Sequence, residues 1–308
     1  MSRSGRLDDL RTRADQVLLL AGLTWKEGVR RRTILMGFLL TVAFVALYGT
    51  GTYYAFRQFD VQPDTTSMGG VGALGMALDP DFYRDLAAYQ MLSFGLFVSS
   101  FLSAMLVVFL GAGMISGDAE NGTLQTIVTR PVARVQVLMG RFLGYASVLV
   151  VYTIVLSGSL LLLTRVFSGY APPHPEQALL LLLAQGLIVL GIVALATSTL
   201  PQIATGITGL MLFGVAFIGG IVEQIGTFLG NDTAAAIGDA VHYLAPTDTF
   251  FRMALGRLTP GSMALVGEFL TGPFGAPKGV ETGALLYGLL YLAACLVGAA
   301  LLFRRRDL

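Results

Sequence analysis

Ala178–Leu200 reads ALLLLLAQGLIVLGIVALATSTL, a stretch without an acid, a base or a histidine. A hydrocarbon slab roughly 30 Å thick needs about 20 helical residues to cross it, and inside it each backbone polar group must be satisfied within the helix. The stretch therefore predicts a membrane-spanning helix. Working outward, similar apolar runs of about that length recur between Thr33 and Phe303, predicting six spans at 33–54, 89–115, 138–164, 178–200, 203–222 and 283–303. The expected fold class is all-α, a polytopic membrane protein with six transmembrane helices. One membrane domain is expected over 1–308: a cytoplasmic N-terminus (1–32), the bundle (33–303) and a cytoplasmic tail (304–308).

Composition sets bounds. The chain is 55% hydrophobic and 13% charged, which separates it from soluble globular proteins. A net charge of +1 provides no basic field for nucleic acid. The single cysteine, Cys295, excludes disulfides and thiolate metal sites within the chain. His174 and His242 fall far apart in predicted outer loops and read as solvated residues, because a catalytic metal takes about three protein ligands. The first apolar run follows a long Arg-rich start without a small-residue cleavage site, so it reads as a retained span and not a signal peptide. No Gly-x-x-x-x-Gly-Lys-Ser/Thr loop is present to cradle the phosphates of ATP. Proton- and sodium-driven carriers usually keep ionisable groups in the bundle. Any energy used by this chain is therefore expected to come from another polypeptide.

Orientation follows from the basic residues. With the N-terminus inside, 14 of the 20 Lys and Arg fall on the cytoplasmic side, including Arg30 to Arg32, Arg130, Arg134, Arg141 and Arg304 to Arg306. Asp60, Asp64, Asp79, Asp81 and Asp85 fall outside. Both termini are thus expected in the cytoplasm. Residues 15–32 predict a helix on the membrane surface, with Val17, Leu18, Leu20 and Leu23 apolar, Trp25 as interfacial anchor and Lys26 and Arg30 to Arg32 toward lipid phosphates.

Pro201 lies in the short connection between spans four and five, which predicts a tight antiparallel pair. Gly206, Gly209, Gly214, Gly219 and Gly220 in span five, and Gly140 and Gly144 in span three, are notches that allow close helix approach. Between Glu223 and Thr282 the apolar residues are too many for disorder and too interrupted for a span. Short outer helices are expected there, with Asp232 and Asp248 as N-caps and Pro246 as a preceding break.

The segment from Ile115 to Arg134, ISGDAENGTLQTIVTRPVAR, lies between spans two and three on the expected cytoplasmic side. Asn121-Gly122 is a turn. Thr123–Thr129 is long enough for about two helical turns, and Arg130-Pro131 ends them because the residue before proline is pushed out of the α region. The product is a short helix held between two spans, able to pass a push from a cytoplasmic partner into the bundle.

Glu120, the Gly122-Thr123-Leu124 triplet and Arg130-Pro131-Val132 resemble the coupling segment of ABC-2 type transporter permeases of the type V exporter kind. The ending Phe303-Arg304-Arg305-Arg306-Asp307-Leu308 is similar to that family's close after the last span. The resemblance implies a cytoplasmic coupling helix between helices 2 and 3, where Asp118, Glu120, Gly122, Thr123, Leu124, Gln125, Arg130 and Pro131 meet a separate ATPase. It implies a dimer with a second permease protomer (an identical copy or a close paralogue) and two ATPase subunits. ATP and Mg2+ would bind in those subunits, with no cofactor or metal in this chain. It implies a non-catalytic, multi-pass subunit of a prokaryotic inner membrane, in contact with lipid and not nucleic acid.

In similar permeases the second and fifth helices line the path. That nominates Ser93, Phe97, Ser100 and Ser103 on one and Thr205, Thr208, Phe213 and Phe217 on the other, with lipid- or helix-facing packing as the competing role. A weakly polar, aromatic path suits export of amphipathic, lipid-like or drug-like cargo by alternating access. An ABC-type complex for signalling or extracytoplasmic metalloenzyme maturation remains open, as does a non-transporting scaffold. An intramembrane enzyme is disfavoured: Ser159, after Gly158, has no histidine in any span to activate it.

Overall fold

The computed structural model describes residues 19–25, 32–61, 80–114, 134–260 and 279–305. Every regular element among the described residues is helical. Residues 19–25 form α1. The long helices are α2 (Arg32–Val61), α3 (Pro80–Ala112), α4 (Arg134–Ser168), α5 (Pro175–Thr197), α6 (Gln202–Phe228) and α9 (Thr282–Arg305), with the shorter α7 (Asp232–Leu244) and α8 (Thr247–Leu258) before the last. The six long ones are apolar enough to cross a membrane. The expected spans are thus present, and several run longer than the apolar runs alone. Helix α3 begins at Pro80, because Asp81, Arg84 and Asp85 continue the helix beyond the apolar window.

Helix α5 is the centre of the bundle and packs on α3, α4, α6, α8 and α9. Its buried residues include Leu181, Gln185, Ile188, Val189, Leu190 and Val193, which surround the helix, as its nearly unbroken apolar sequence requires. Helices α2 and α9 lie at the rim, where Met36, Leu39 and Leu47 of α2 and Leu286, Leu289 and Leu290 of α9 are exposed. Two core clusters divide the bundle along its length. One gathers Tyr48, Tyr89, Leu96, Tyr170, Phe250 and Phe251 toward the end bearing α7 and α8, here the distal end. The other gathers Leu110, Met114, Leu138, Phe142, Val193 and Phe303 toward the opposite, proximal end.

In lipid the helices gain nothing from hiding apolar surface, so packing and interhelical hydrogen bonds decide association. Thr41 pairs with the Tyr152 hydroxyl (2.7 Å) and Tyr48 with Thr164 (2.6 Å), joining α2 to α4. Ser99 pairs with Ser157 (2.8 Å), joining α3 to α4. Bonds of this kind average about 0.6 kcal/mol each in a membrane bundle.

The α5–α6 connection is tight, as the sequence predicts. Thr199 and Leu200 amides both donate to Ala196 O, and Pro201 stands at the N-cap of α6 with φ −66° and ψ 162°. At the far end of α6, Gly230 takes a left-handed φ of 64°, which lets the chain reverse into α7. The expected short outer helices are α7 and α8, but their caps differ from expectation. Asn231, not Asp232, caps α7, accepting from the Thr233 and Ala234 amides. Pro246 occupies the α8 N-cap, and Asp248 is buried within the first turn of the helix, facing Arg252. The remainder of the expected outer segment, from Met263 to Leu270, and the tail residue Arg306 lie outside the described residues.

Candidate functional site

Three groups of side chains stand out along the bundle. At the proximal end, side chains tie the helices together through backbone carbonyls. Arg141 of α4 donates to Met114 O just beyond α3. Thr197 Oγ1 of α5 donates to Ala112 O (3.1 Å), and Ser198 Oγ to Ala299 O of α9 (3.3 Å). Helix α1 docks on the same end. A Cβ on Gly144 would lie 2.6 Å from Thr24 Cβ and 3.0 Å from Ala21 O, so only glycine admits α1 this closely to α4. Trp25 packs against the proximal cluster. Of the helix expected over residues 15–32, residues 19–25 are described and form α1, seated in the Gly144 notch, while Lys26, Arg30 and Arg31 lie outside the described residues. Asp118, Glu120, Gly122, Thr123, Leu124, Gln125, Arg130 and Pro131 all lie outside the described residues; the tied ends of α3 and α4 are what flank them.

At mid-depth, α3, α4 and α5 enclose a polar seam of Ser99, Ser100, Ser103, Thr153, Ser157 and Gln185. Ser100 Oγ donates to Gln185 Oε1 (3.0 Å). Ser103 Oγ and Thr153 Oγ1 are buried without a hydrogen-bond partner. A second cavity continues toward the distal end and shares Ser100, Gln185 and Phe213 with the first. Each leaves about 10 Å³ for the centre of a water molecule, room for one at most. The Phe97 and Phe217 rings close the second cavity at 4.4 Å, with Phe251 6.2 Å from Phe97.

Of the eight residues nominated for a path, five meet here: Phe97, Ser100, Ser103, Phe213 and Phe217. Ser93 is elsewhere on α3, bonded to its own helix at Tyr89 O. Thr205 is fully buried near the proximal start of α6, donating to Leu200 O (3.4 Å), and Thr208 is half-buried there.

The distal group is ionic. Glu223 Oε2, on α6, accepts from Arg252 Nη1 of α8 (2.6 Å) and faces His242 Nε2 of α7 (2.5 Å). Thr249 Oγ1 lies 3.1 Å from His242 Nδ1. Both ring nitrogens of His242 are thus engaged, one with the Glu223 carboxylate and the other with the Thr249 hydroxyl. Arg252 also lies 3.7 Å from Asp248 Oδ2. His242 is therefore not the solvated loop residue that its sequence position suggests: its side chain is only 11% exposed and ties α7 to α6. Asp248 approaches α6 where a Cβ on Gly220 would lie 2.0 Å from its Oδ2.

The model of the ABC-2 family transporter protein matches residues 18–308. The chain belongs to the ABC-2 transporter family. A probable ABC transporter permease, NosY, of Pseudomonas aeruginosa is 36% identical over 62 residues, 20% of this chain. That match spans 22% of the relative's own length. Membership, together with six helices long and apolar enough to cross a membrane, makes the chain a multi-pass membrane protein of that family.

Sequence reading missed two parts of this ABC-2 bundle. Gln185, the one amide within an otherwise apolar run, signals the polar seam. The Glu223–Arg252 pair joins residues 29 apart whose meeting depends on the α6–α7 reversal, and no local pattern announces it.

Proposed function

We propose that this chain is the permease half of an ATP-driven exporter, working as a dimer with two separate ATPase subunits and both termini in the cytoplasm of a prokaryotic plasma membrane. The proximal end is then the cytoplasmic end. The observation that carries the reading is the stapling of α3, α4, α5 and α9 at that end, on both flanks of the 115–133 connection. A push on that connection cannot move one flank alone; it must shift α3 and α4 together and carry α5 with them.

Residues Asp118 to Pro131 provide the contact with the ATPase, where ATP and Mg2+ are bound. The polar seam and the aromatic contact between α3 and α6 mark where cargo passes. Closed rings and cavities the size of one water describe the occluded arrangement, and hydrolysis in the partner alternates it with open ones. Weakly polar walls suit an amphipathic or lipid-like cargo.

Tagged chain pulled from its membrane should bring an ABC ATPase with it. In the reconstituted complex, Glu120→Ala and Gly122→Val should remain in the membrane and lose stimulation of ATP hydrolysis. Normal stimulation in both variants would refute the coupling assignment. A complex that hydrolyses ATP in response to an extracytoplasmic protein, and moves no amphipath, would select the signalling or maturation alternative.

A further inference from the structure

The aromatic cavity has a composition that selects for charge. Its wall is built from the rings of Phe97, Phe213, Phe217 and Phe251 together with Ser100, Gln185, Thr247 and the carboxylate of Asp248, and among the described residues no lysine, arginine or histidine lines it. Asp248 is 4% exposed and Thr247 is 1% exposed. The Thr247 hydroxyl is buried without a hydrogen-bond partner. Arg252 is shared between Glu223 (2.6 Å) and Asp248 (3.7 Å), one guanidinium set against two carboxylates. A carboxylate held at the rim of an apolar cavity is costly to keep there. Aromatic faces attract cations through their quadrupole, most strongly once water is removed. The neighbouring cavity adds Ser103 and Thr153, two further hydroxyls without partners.

We propose that this cavity is a binding site for a lipophilic organic cation, with the charge against Asp248 and the apolar body among the four phenylalanines. The inference rests on the export reading and narrows its cargo from amphipaths in general to cationic ones. In the arrangement described the site is shut by the Phe97–Phe217 contact, and it opens as α3 and α6 part. Thr247 then supplies a hydroxyl to the cation's polar substituents or its residual water.

The test uses the full chain in nanodiscs of zwitterionic lipid without ATPase, with radiolabelled tetraphenylphosphonium in equilibrium dialysis against empty discs. Saturable binding above the empty-disc level is expected, with tetraphenylborate, matched in size and opposite in charge, failing to compete. Asp248→Asn should weaken binding at least tenfold while Asp248→Glu holds it within about threefold. Binding no greater than in empty discs, or equal competition by the borate, would overturn the proposal, and that comparison needs no variant to fold. Unchanged affinity in a monodisperse Asp248→Asn preparation would overturn it too. Inside-out vesicles containing the ATPase separate the two readings. Saturable binding without ATP-driven uptake removes export and keeps the site, whereas uptake of neutral amphipaths without cation binding does the reverse.

Discussion

Arg252 donates to Glu223 across 2.6 Å and so fastens α8 to the distal end of α6, although both residues are largely withdrawn from solvent. Removing one partner of a buried pair leaves the other uncompensated, at a cost of about 3–5 kcal/mol. Glu223→Gln should therefore lower the melting temperature of the detergent-solubilised protein by several degrees. Glu223→Gln combined with Arg252→Met should recover part of the loss. A double variant no more stable than the single one would show that the pair is not the source of the effect.

Gly144 is the seat of α1. Gly144→Leu should expel the helix, and Trp25, the only tryptophan in the chain, reports on it directly. Its fluorescence should shift to the red, with far-ultraviolet circular dichroism nearly unchanged. An unshifted spectrum would mean that α1 tolerates the added side chain.

Arg141 ties the start of α4 to Met114 O. Arg141→Met should cost about 1–2 kcal/mol of stability and reduce transport-coupled ATP hydrolysis more than it reduces ATPase binding. Equal loss of binding and coupling would place Arg141 at the docking surface and not in the flank of the connection.

Tyr170, between α4 and α5, donates its hydroxyl to Leu258 O (2.5 Å) and fixes α8 to that loop. Burial, with the Tyr89 and Asp85 charges adding to it, pushes the Tyr170 phenol above its ordinary value near 10. A raised folded pKa means that this contribution is fully present below the unfolded value and fades as pH rises through the folded one. Wild-type protein should lose stability in strong alkali more steeply than Tyr170→Phe, while the variant is less stable by about 1 kcal/mol at neutral pH. Parallel pH curves for the two proteins would contradict this.

Orientation is checked by labelling in a Cys295→Ser background. A cysteine at exposed Asp232 or at Asp64 should react with an impermeant thiol reagent added outside intact cells, and one at Thr126 should not. The opposite pattern would turn the bundle over.

What the sequence made legible follows from the physics of each element. Lipid imposes length and apolarity, so Ala178–Leu200 and its five counterparts announce themselves, and Pro201 marks the turn between two of them. Gly144 was visible as a notch, but nothing local named α1 as its occupant. The caps failed because Asn231 and Asp232 are equally suited by type, and backbone geometry chooses between them. Asp248 was misread as a cap because its partners, Arg252 and the Gly220 face, come together only through tertiary packing. The path residues were half legible: α3 and α6 do meet through Phe97 and Phe217, but Ser93 and Thr205 turn to backbone carbonyls instead.

The central position of α5 has a mechanical consequence. A helix packed against five neighbours cannot slide without repacking them, so it moves only together with the core it holds. At the rim, α2 and α9 each turn one face outward, with Met36, Leu39, Leu286 and Leu289 exposed. Substitutions meant to spare the packing belong on those outer faces, and substitutions meant to break it belong on α5.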